Sequence, residues 1–140
     1  MKKIMLLLLP VLLLGLVSCG GADTPATGNG DSDGGDIASG EALFAQTLAG
    51  SQPGCVTCHS LEDGVSLVGP SMAGLGSVAG SRVSGMSAED YIHDSIVAPN
   101  DFVVEGFGAN IMPEAYGTAL TEKEINDIVA YLNSLKKATV

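Results

Sequence analysis

Three residues of chemically reactive type stand close together in the middle of the chain, in the run Cys55-Val56-Thr57-Cys58-His59. Cys-x-x-Cys-His is the attachment signature of c-type haem. Two thiols three positions apart can reach the two vinyl groups of one porphyrin and form thioethers, and the adjacent histidine then lies under the iron. The motif therefore predicts one covalent haem c, attached by Cys55 and Cys58, with His59 as the proximal iron ligand.

Other chemistries use parts of the same motif. A redox-active dithiol of the thioredoxin type shares the cysteine spacing, but it needs a strand–helix context that the sequence does not indicate. A structural zinc site needs four ligands, and the only spare side chain of that kind is His93. A disulfide would explain neither His59 nor the two long irregular stretches, residues 60–85 and 98–120. These three remain alternatives to haem.

A haem electron carrier needs a sixth iron ligand, and methionine and histidine are the usual choices. The candidates are Met72, Met86, Met112 and His93. Met112 is favoured because Pro113 stiffens its position in the second long loop. Met72 follows the proximal ligand by only thirteen residues, and Met86 directly precedes a helix, where an apolar residue can pack against the first turn. His93 lies off the apolar stripe of its helix and is expected to be solvated.

Length and charge exclude one class of function. The chain has 140 residues and a net charge of −10, with 6 basic and 16 acidic residues. A chain this acidic repels nucleic-acid phosphates, so no nucleic-acid partner is expected. Its length suits one domain of ordinary size.

The N-terminus has the pattern of an export signal. Lys2 and Lys3 precede residues 4–17, which carry no charge and include eight leucines. A helix of that length spans about 21 Å, less than the roughly 30 Å of a bilayer core. The small residue before Cys19 resembles a bacterial lipobox, so residues 1–18 are predicted to be a lipoprotein signal peptide and Cys19 the lipid attachment site. A signal peptide with an incidental cysteine and a membrane-spanning anchor are the alternatives.

The next segment, residues 19–36, is interpreted as the lipidated cysteine followed by a flexible linker rich in Gly and Asp. Residues 37–140 then form the folded domain. Helices are predicted from Ser39 to Ala49 with Ser39 as N-cap, from Ser87 to Val97, and from Thr121 onward. No stretch shows strand alternation, so the fold class is all-α: three main helices with long loops wrapped around one covalent haem.

Residues 37–140 resemble a class I monohaem cytochrome c. The resemblance rests on Gly40 with Phe44, Tyr131 with Leu132, Gly69 with Pro70, and Met112 with Pro113, besides the haem motif. It implies that the first and last helices pack together and that the Pro70 carbonyl accepts the ring N–H of His59. It also implies that Met112 is the distal ligand.

A narrower resemblance covers Tyr91 to Phe107. This run is similar to the cytochrome c domains of haem–copper oxidase subunit II and to the small cytochrome c subunit of the alternative quinol-oxidising complex. It implies a lipid-anchored carrier on the outer face of the bacterial cytoplasmic membrane. Its redox partners would be a quinol-oxidising complex, a terminal oxidase or a photosynthetic reaction centre.

The expected function is one-electron transfer in a respiratory or photosynthetic chain, not enzymatic catalysis. A haem with His and Met ligands leaves no free site for substrate. The rivals are a haem-based sensor with a displaceable sixth ligand and a haem peroxidase. Because the folded domain carries a net charge of −8, a ring of lysines around the haem edge is not expected. Docking is expected to be mainly apolar, through Leu67–Val83 and Phe102–Phe107, since the acidic residues are scattered; a partner with a basic surface is the alternative.

Overall fold

The computed structural model describes residues 34–137. The predicted signal peptide, Cys19 and all but the end of the linker lie outside the described residues. The elements, in chain order, are helix α1 (Ile37–Phe44), strands β1 (Leu48–Ala49) and β2 (Gln52–Pro53), and helices α2 (Leu75–Val78), α3 (Ala88–Val97), α4 (Tyr116–Ala119) and α5 (Glu122–Ser134). Two 3₁₀ helices span Cys55–Thr57 and Ala79–Ser81. The all-α prediction is confirmed.

Helix α5 is the centre of the fold, and its sequence explains both its start and its buried face. The Thr121 hydroxyl accepts a hydrogen bond from the Glu124 backbone N–H, while the Glu124 carboxylate accepts one from the Thr121 N–H at 2.8 Å. This is the capping box that the sequence predicts. Ile125 and Ile128 lie on the apolar stripe and are almost fully buried. Both α1 and α3 pack against α5.

Helix α1 crosses α5 closely because a glycine lies at the crossing. A Cβ on Gly40 would collide with the Asp127 carbonyl and would stand 2.8 Å from Tyr131 Cβ. One turn later the Phe44 and Tyr131 rings pack with centroids 5.7 Å apart. The buried Asp127 carboxylate accepts hydrogen bonds from the Asp36 backbone N–H and from Lys123, each at 2.7 Å. The packing of the first helix on the last is therefore as expected.

The bounds of the first helix differ from the prediction. Its N-cap is Asp36, whose carboxylate accepts the Ser39 N–H at 2.7 Å, so Ser39 lies inside the helix. The helix ends at Phe44 instead of Ala49. Asp36 caps the helix in place of Ser39, and it is fixed in position because its own N–H is bonded to Asp127.

Residues beyond α1 form a small antiparallel hairpin, which the sequence analysis did not predict. Leu48 pairs with Pro53 and Ala49 with Gln52. Gly50 takes a positive φ of 59° in the turn, a conformation that glycine adopts without penalty. Strands of two residues are too short to show alternation. The turn of the hairpin lies against the end of α4, where a Cβ on Gly50 would collide with the Ala119 carbonyl, and β2 leads directly into the haem motif.

Helix α3 begins as predicted. The Ser87 hydroxyl accepts the Asp90 N–H at 3.1 Å, and it also donates to the Asp90 carboxylate at 2.7 Å. The Asp90 side chain is shorter than that of Glu and does not reach the Ser87 backbone N–H. Its carboxylate accepts a hydrogen bond from the Ser87 hydroxyl instead. Tyr91, Ile92 and Ile96 form the buried face.

The two long loops contain short helices that composition did not reveal. Helix α2 packs on the end of α5, where the Gly76 N–H donates to the Leu135 carbonyl at 3.0 Å and Lys136 donates to the Gly76 carbonyl at 2.6 Å. Helix α4 lies directly before α5. No helix within residues 34–137 is long and apolar enough to cross a membrane.

Candidate functional site

A cleft enclosing about 1330 Å³ of empty space, part of it open to solvent, runs between the helices and the two long loops. Residues predicted to carry the chemistry line it together: Cys55, Cys58, His59, Met72, Pro70 and Met112. Most of the remaining wall is apolar and comes from α3, α5 and the loops. Two segments supply the candidate iron ligands that line the cleft: the proximal loop, residues 58–74, and the distal loop, residues 98–115.

The haem motif folds into a tight turn that places its reactive side chains at the cleft. The 3₁₀ helix Cys55–Thr57 is closed by the Thr57 hydroxyl, which donates to the Gly54 carbonyl at 2.6 Å. The backbone N–H groups of Cys58 and His59 both donate to the Cys55 carbonyl, at 3.1 and 2.9 Å. This turn brings both thiols and the imidazole to the wall of one cleft. Burial raises the pKa of the Cys55 thiol.

His59 is held in one tautomer. Its Nδ1 lies 2.9 Å from the Pro70 carbonyl oxygen, and a carbonyl can only accept, so Nδ1 carries the proton. Nε2 is then left with its lone pair, as a metal ligand requires. Burial lowers the pKa of His59, which keeps the imidazole neutral. A Cβ on Gly69 would stand 2.5 Å from His59 Cε1, so glycine at this position leaves room for the ring.

The base of the proximal loop is fixed by backbone hydrogen bonds. The Gly69 N–H donates to the Cys58 carbonyl at 2.9 Å, and the Met72 N–H donates to the Ser60 carbonyl at 2.8 Å. These bonds place Met72 next to the histidine's own segment. The Met72 side chain is only 8% exposed and belongs to the hydrophobic core as well as to the cleft wall.

The other candidate ligands divide into two groups. Met112 lines the cleft from the distal loop, where it is half-buried and packs against the core. Met86 packs against the core without lining the cleft. His93 does not line the cleft either. Its ring lies 3.4 Å from the Asp94 carboxylate and 3.9 Å from that of Glu122.

Two residues of the site were not recognised in the sequence. Tyr116 on α4 is buried, lines the cleft, and donates its hydroxyl to the Pro53 carbonyl at 2.6 Å. Burial raises the pKa of that phenol, so it remains a donor. Asn100 in the distal loop lines the cleft and bonds to residues ten and fourteen positions away. Neither contact leaves a local sequence signal, because the partners are far apart in the chain.

Residues 37–136 match the family described as Cytochrome c. The chain belongs to the cytochrome c family. A comparison with curated proteins found no match. Membership of this family means that the chain is a haem protein of electron transfer, of a kind that is generally not catalytic.

The cleft of this cytochrome c fits the covalent haem that the family implies. Cys55 and Cys58 are free thiols, as thioether formation requires. The neutral His59 imidazole lies beside them, and the apolar wall suits a flat, largely apolar macrocycle. When bound, the haem supplies an iron that changes oxidation state by one electron. Cys55 and Cys58 would attach it, the Pro70 carbonyl holds His59 in one tautomer, and the apolar wall would keep water from the bound group.

Proposed function

We propose that this cytochrome c transfers single electrons in a respiratory or photosynthetic chain, with its haem iron held by His59 and Met112. The observation that carries the proposal is the cleft itself, whose wall includes both cysteines, His59 and Met112. With both residues bound to it, the iron would have no free position for substrate, and electrons would be exchanged through the haem edge.

Met112 is preferred over Met72 because the two thioethers are held differently. The Met72 backbone is bonded to Ser60, next to the proximal histidine, and its side chain fills the core. A distal ligand would have to reach the iron from the side away from His59, which a segment tied less closely to the histidine could do. Met112 reaches the cleft from the distal loop, and Pro113 restricts its backbone to extended conformations.

The test replaces each methionine in the holoprotein. Met112→Ala should abolish the sulfur-to-iron charge-transfer band of the ferric protein and allow the reduced protein to bind carbon monoxide at neutral pH. Met72→Ala should keep the band but destabilise the fold by about 2–5 kcal/mol, because it leaves a cavity in the core. Met86→Ala is the control outside the cleft and should keep the band.

Carbon monoxide binding also separates electron transfer from the rival function. Tight binding by the reduced wild-type protein would favour a sensor whose sixth ligand is displaced. Persistence of the charge-transfer band in Met112→Ala would disprove the assignment of the distal ligand.

We propose that the redox partner docks on an apolar rim around the cleft. Val68, Phe102 and Ile111 line the cleft and are nevertheless 57%, 37% and 58% exposed. Arg82 is the only Lys or Arg among the described residues that line it. A ring of lysines attracting an acidic partner is therefore absent from the described part of this surface. Apolar contact should instead dominate binding to the quinol-oxidising complex, terminal oxidase or reaction centre that exchanges electrons with it.

The salt dependence of electron transfer tests this docking. Surface charges are screened over about 8 Å at physiological ionic strength, so an attraction between charges weakens steeply as salt is added. Apolar docking predicts a rate that is unchanged or modestly higher in high salt. A steep fall would indicate a basic partner surface instead.

We propose that Cys19 anchors the protein to the outer face of the bacterial cytoplasmic membrane, with residues 1–18 removed as a signal peptide. The proposal is supported by the uncharged leucine-rich run and by the small residue before the cysteine. Two or more acyl chains would give stable anchoring. The protein should partition into detergent, and Cys19→Ala should abolish processing at that site. An intact Met1 on membrane-bound protein would contradict the proposal.

A further inference from the structure

The segment that carries Met112, residues 108–114, is held by side chains. Residues 109–110 form a local turn, but among residues 34–137 no well-aligned backbone–backbone hydrogen bond of 3.5 Å or less involves this segment. One of its N–H groups, that of Asn110, donates to Asn100 Oδ1 at 2.7 Å. Asn100 Nδ2 donates in turn to the Glu114 carboxylate. One asparagine thus bonds to the segment two residues before and two residues after Met112.

Asn100 is itself well fixed. It lies in a turn directly after α3, in which the Ala98 N–H donates to the Asp94 carbonyl at 2.7 Å and the Asp101 N–H to the Ala98 carbonyl at 3.0 Å. Pro99 occupies the second position of this turn, which its fixed φ favours. Two residues after Asn100 the Phe102 ring packs edge-on against Tyr91 of α3, with centroids 5.6 Å apart. The Asn100 side chain is therefore attached to a rigid helix.

The chemistry of the two contacts determines which way the Asn100 amide faces. A backbone N–H must meet the oxygen, and a carboxylate must meet the NH₂ group. Only one orientation of the amide satisfies both, and no other side chain of this length offers a donor and an acceptor together. Asn110 also has a positive φ of 59°, the only such value at a non-glycine residue among the described residues. Asparagine tolerates this conformation better than most residues, and the bond to Asn100 helps to hold it.

We infer that Asn100 is the positioning residue that holds Met112 against the haem iron. It acts through Asn110 and Glu114 and does not touch the iron. When Met112 leaves the iron, the segment must move, and these two hydrogen bonds resist that movement. The inference rests on the proposed His59/Met112 ligation. According to this inference, Asn100 controls the equilibrium between Met112 bound to the iron and Met112 dissociated from it.

The test measures how readily an added ligand displaces Met112 from the ferric holoprotein, with imidazole as the probe. Asn100→Leu keeps the size of the side chain and removes both bonds. Two ordinary hydrogen bonds change an equilibrium by roughly five- to a hundredfold, so the apparent dissociation constant for imidazole should fall by that factor. The charge-transfer band should also disappear at a lower temperature than in the wild type, before global unfolding.

Three further variants are expected to change imidazole affinity by different amounts. Glu114→Gln keeps an oxygen that accepts from Asn100 and should bind imidazole as the wild type does. Asn100→Asp keeps the acceptor for the Asn110 N–H but faces the Glu114 carboxylate, and should be intermediate. Glu114→Ala removes one bond at the surface and should tighten imidazole binding by roughly two- to tenfold. If Asn100→Leu yields no holoprotein, Glu114→Ala decides the question.

Two controls separate positioning from general damage. Glu105→Ala is matched to Glu114→Ala, because Glu105 is also an exposed acidic residue of the distal loop. Its side chain makes no hydrogen bond within residues 34–137. Thr121→Ala destabilises α5 away from the distal loop. Both should leave imidazole affinity unchanged. Wild-type affinity in Asn100→Leu, or in Glu114→Ala, would overturn the inference, whereas a charge-transfer band that survives Met112→Ala would overturn the ligation on which it rests.

Discussion

The proximal and distal loops line the same cleft but are held in different ways. In the proximal loop, backbone groups bond to backbone groups, Gly69 to Cys58 and Met72 to Ser60, and the Pro70 carbonyl bonds to the His59 ring. In the distal loop, the segment around Met112 is held by the side chain of Asn100. Backbone contacts persist through most substitutions, whereas a side-chain contact is lost with one.

The difference matches the two tasks. In the proposed ligation, the proximal side would carry two covalent bonds and a histidine that has to keep its tautomer, so a rigid backbone frame is suitable. The distal side would supply a single soft ligand, and one or two side chains could adjust the strength with which that ligand binds. The comparison predicts that changes in the proximal loop alter whether haem is held at all. Changes in the distal loop should alter how its sixth position behaves.

The largest expected effect is loss of the cofactor. Cys55→Ala or Cys58→Ala should remove most of the holoprotein, because each deletes one thioether, while Met112→Ala should retain its haem. The measurement is haem that stays with the polypeptide after acid denaturation and organic extraction, since thioethers survive this treatment and coordination does not. Wild-type haem that extracts freely would contradict covalent attachment. Equal losses of covalently attached haem in Cys58→Ala and Met112→Ala would contradict the proposed difference between the two loops.

A matched pair of glycine substitutions gives an intermediate effect. In Gly69→Ala the new Cβ would stand 2.5 Å from His59 Cε1, and the ring is confined by Pro70. Overpacking of this kind costs about 1–3 kcal/mol and should shift the iron ligation. In Gly108→Ala the nearest atom is Ile111 Cγ1 at 3.2 Å, the side chain of an exposed residue that can move aside. This change should cost less than about 0.5 kcal/mol.

Chemical unfolding and the ferric absorption spectrum measure the pair. Equal destabilisation by the two alanines would show that the distal loop is as tightly packed as the proximal one.

A modest effect is expected at a position in neither loop, and it serves as the reference for the other substitutions. Thr121→Ala removes the N-cap of α5 and should cost about 1 kcal/mol without changing the ligation. Hydrogen bonds from the Thr121 backbone N–H and hydroxyl lower the pKa of Glu124 below its usual 4.5. A lowered carboxyl pKa stabilises the fold above the unfolded-state pKa, and this contribution disappears as the pH falls through the folded-state pKa.

The cost of Thr121→Ala should therefore be larger at neutral pH than in acid below the folded-state pKa, and the pKa of Glu124 should rise toward 4.5. Denaturant unfolding at the two pH values and an NMR titration of the Glu124 carboxyl measure these changes. A change in the absorption spectrum of the haem in Thr121→Ala would show that the start of α5 affects the iron ligation.

Local patterns in the sequence predicted the fold class and the starts of α3 and α5, whereas the packing of α1 on α5 was implied by the family resemblance. A capping box involves residues three positions apart, and an apolar stripe repeats every turn. The start and end of α1 were misjudged, since the choice between Asp36 and Ser39 as N-cap depends on Asp127, ninety-one residues beyond Asp36. The hairpin and the short helices α2 and α4 were missed because they are too brief for periodicity.

By itself, the sequence determined the cofactor chemistry of this cytochrome c. Five consecutive residues, from Cys55 to His59, contain both thiols and the imidazole, and such spacing requires no knowledge of the rest of the chain. Only the tertiary structure decided which methionines line the cleft, that Tyr116 bonds to Pro53, and that Asn100 clamps the segment around Met112. These contacts join residues up to sixty-three positions apart. They form because the helices bring distant loops to one cleft, a consequence of burying the apolar faces of α1 and α3 on α5 that no local spacing records.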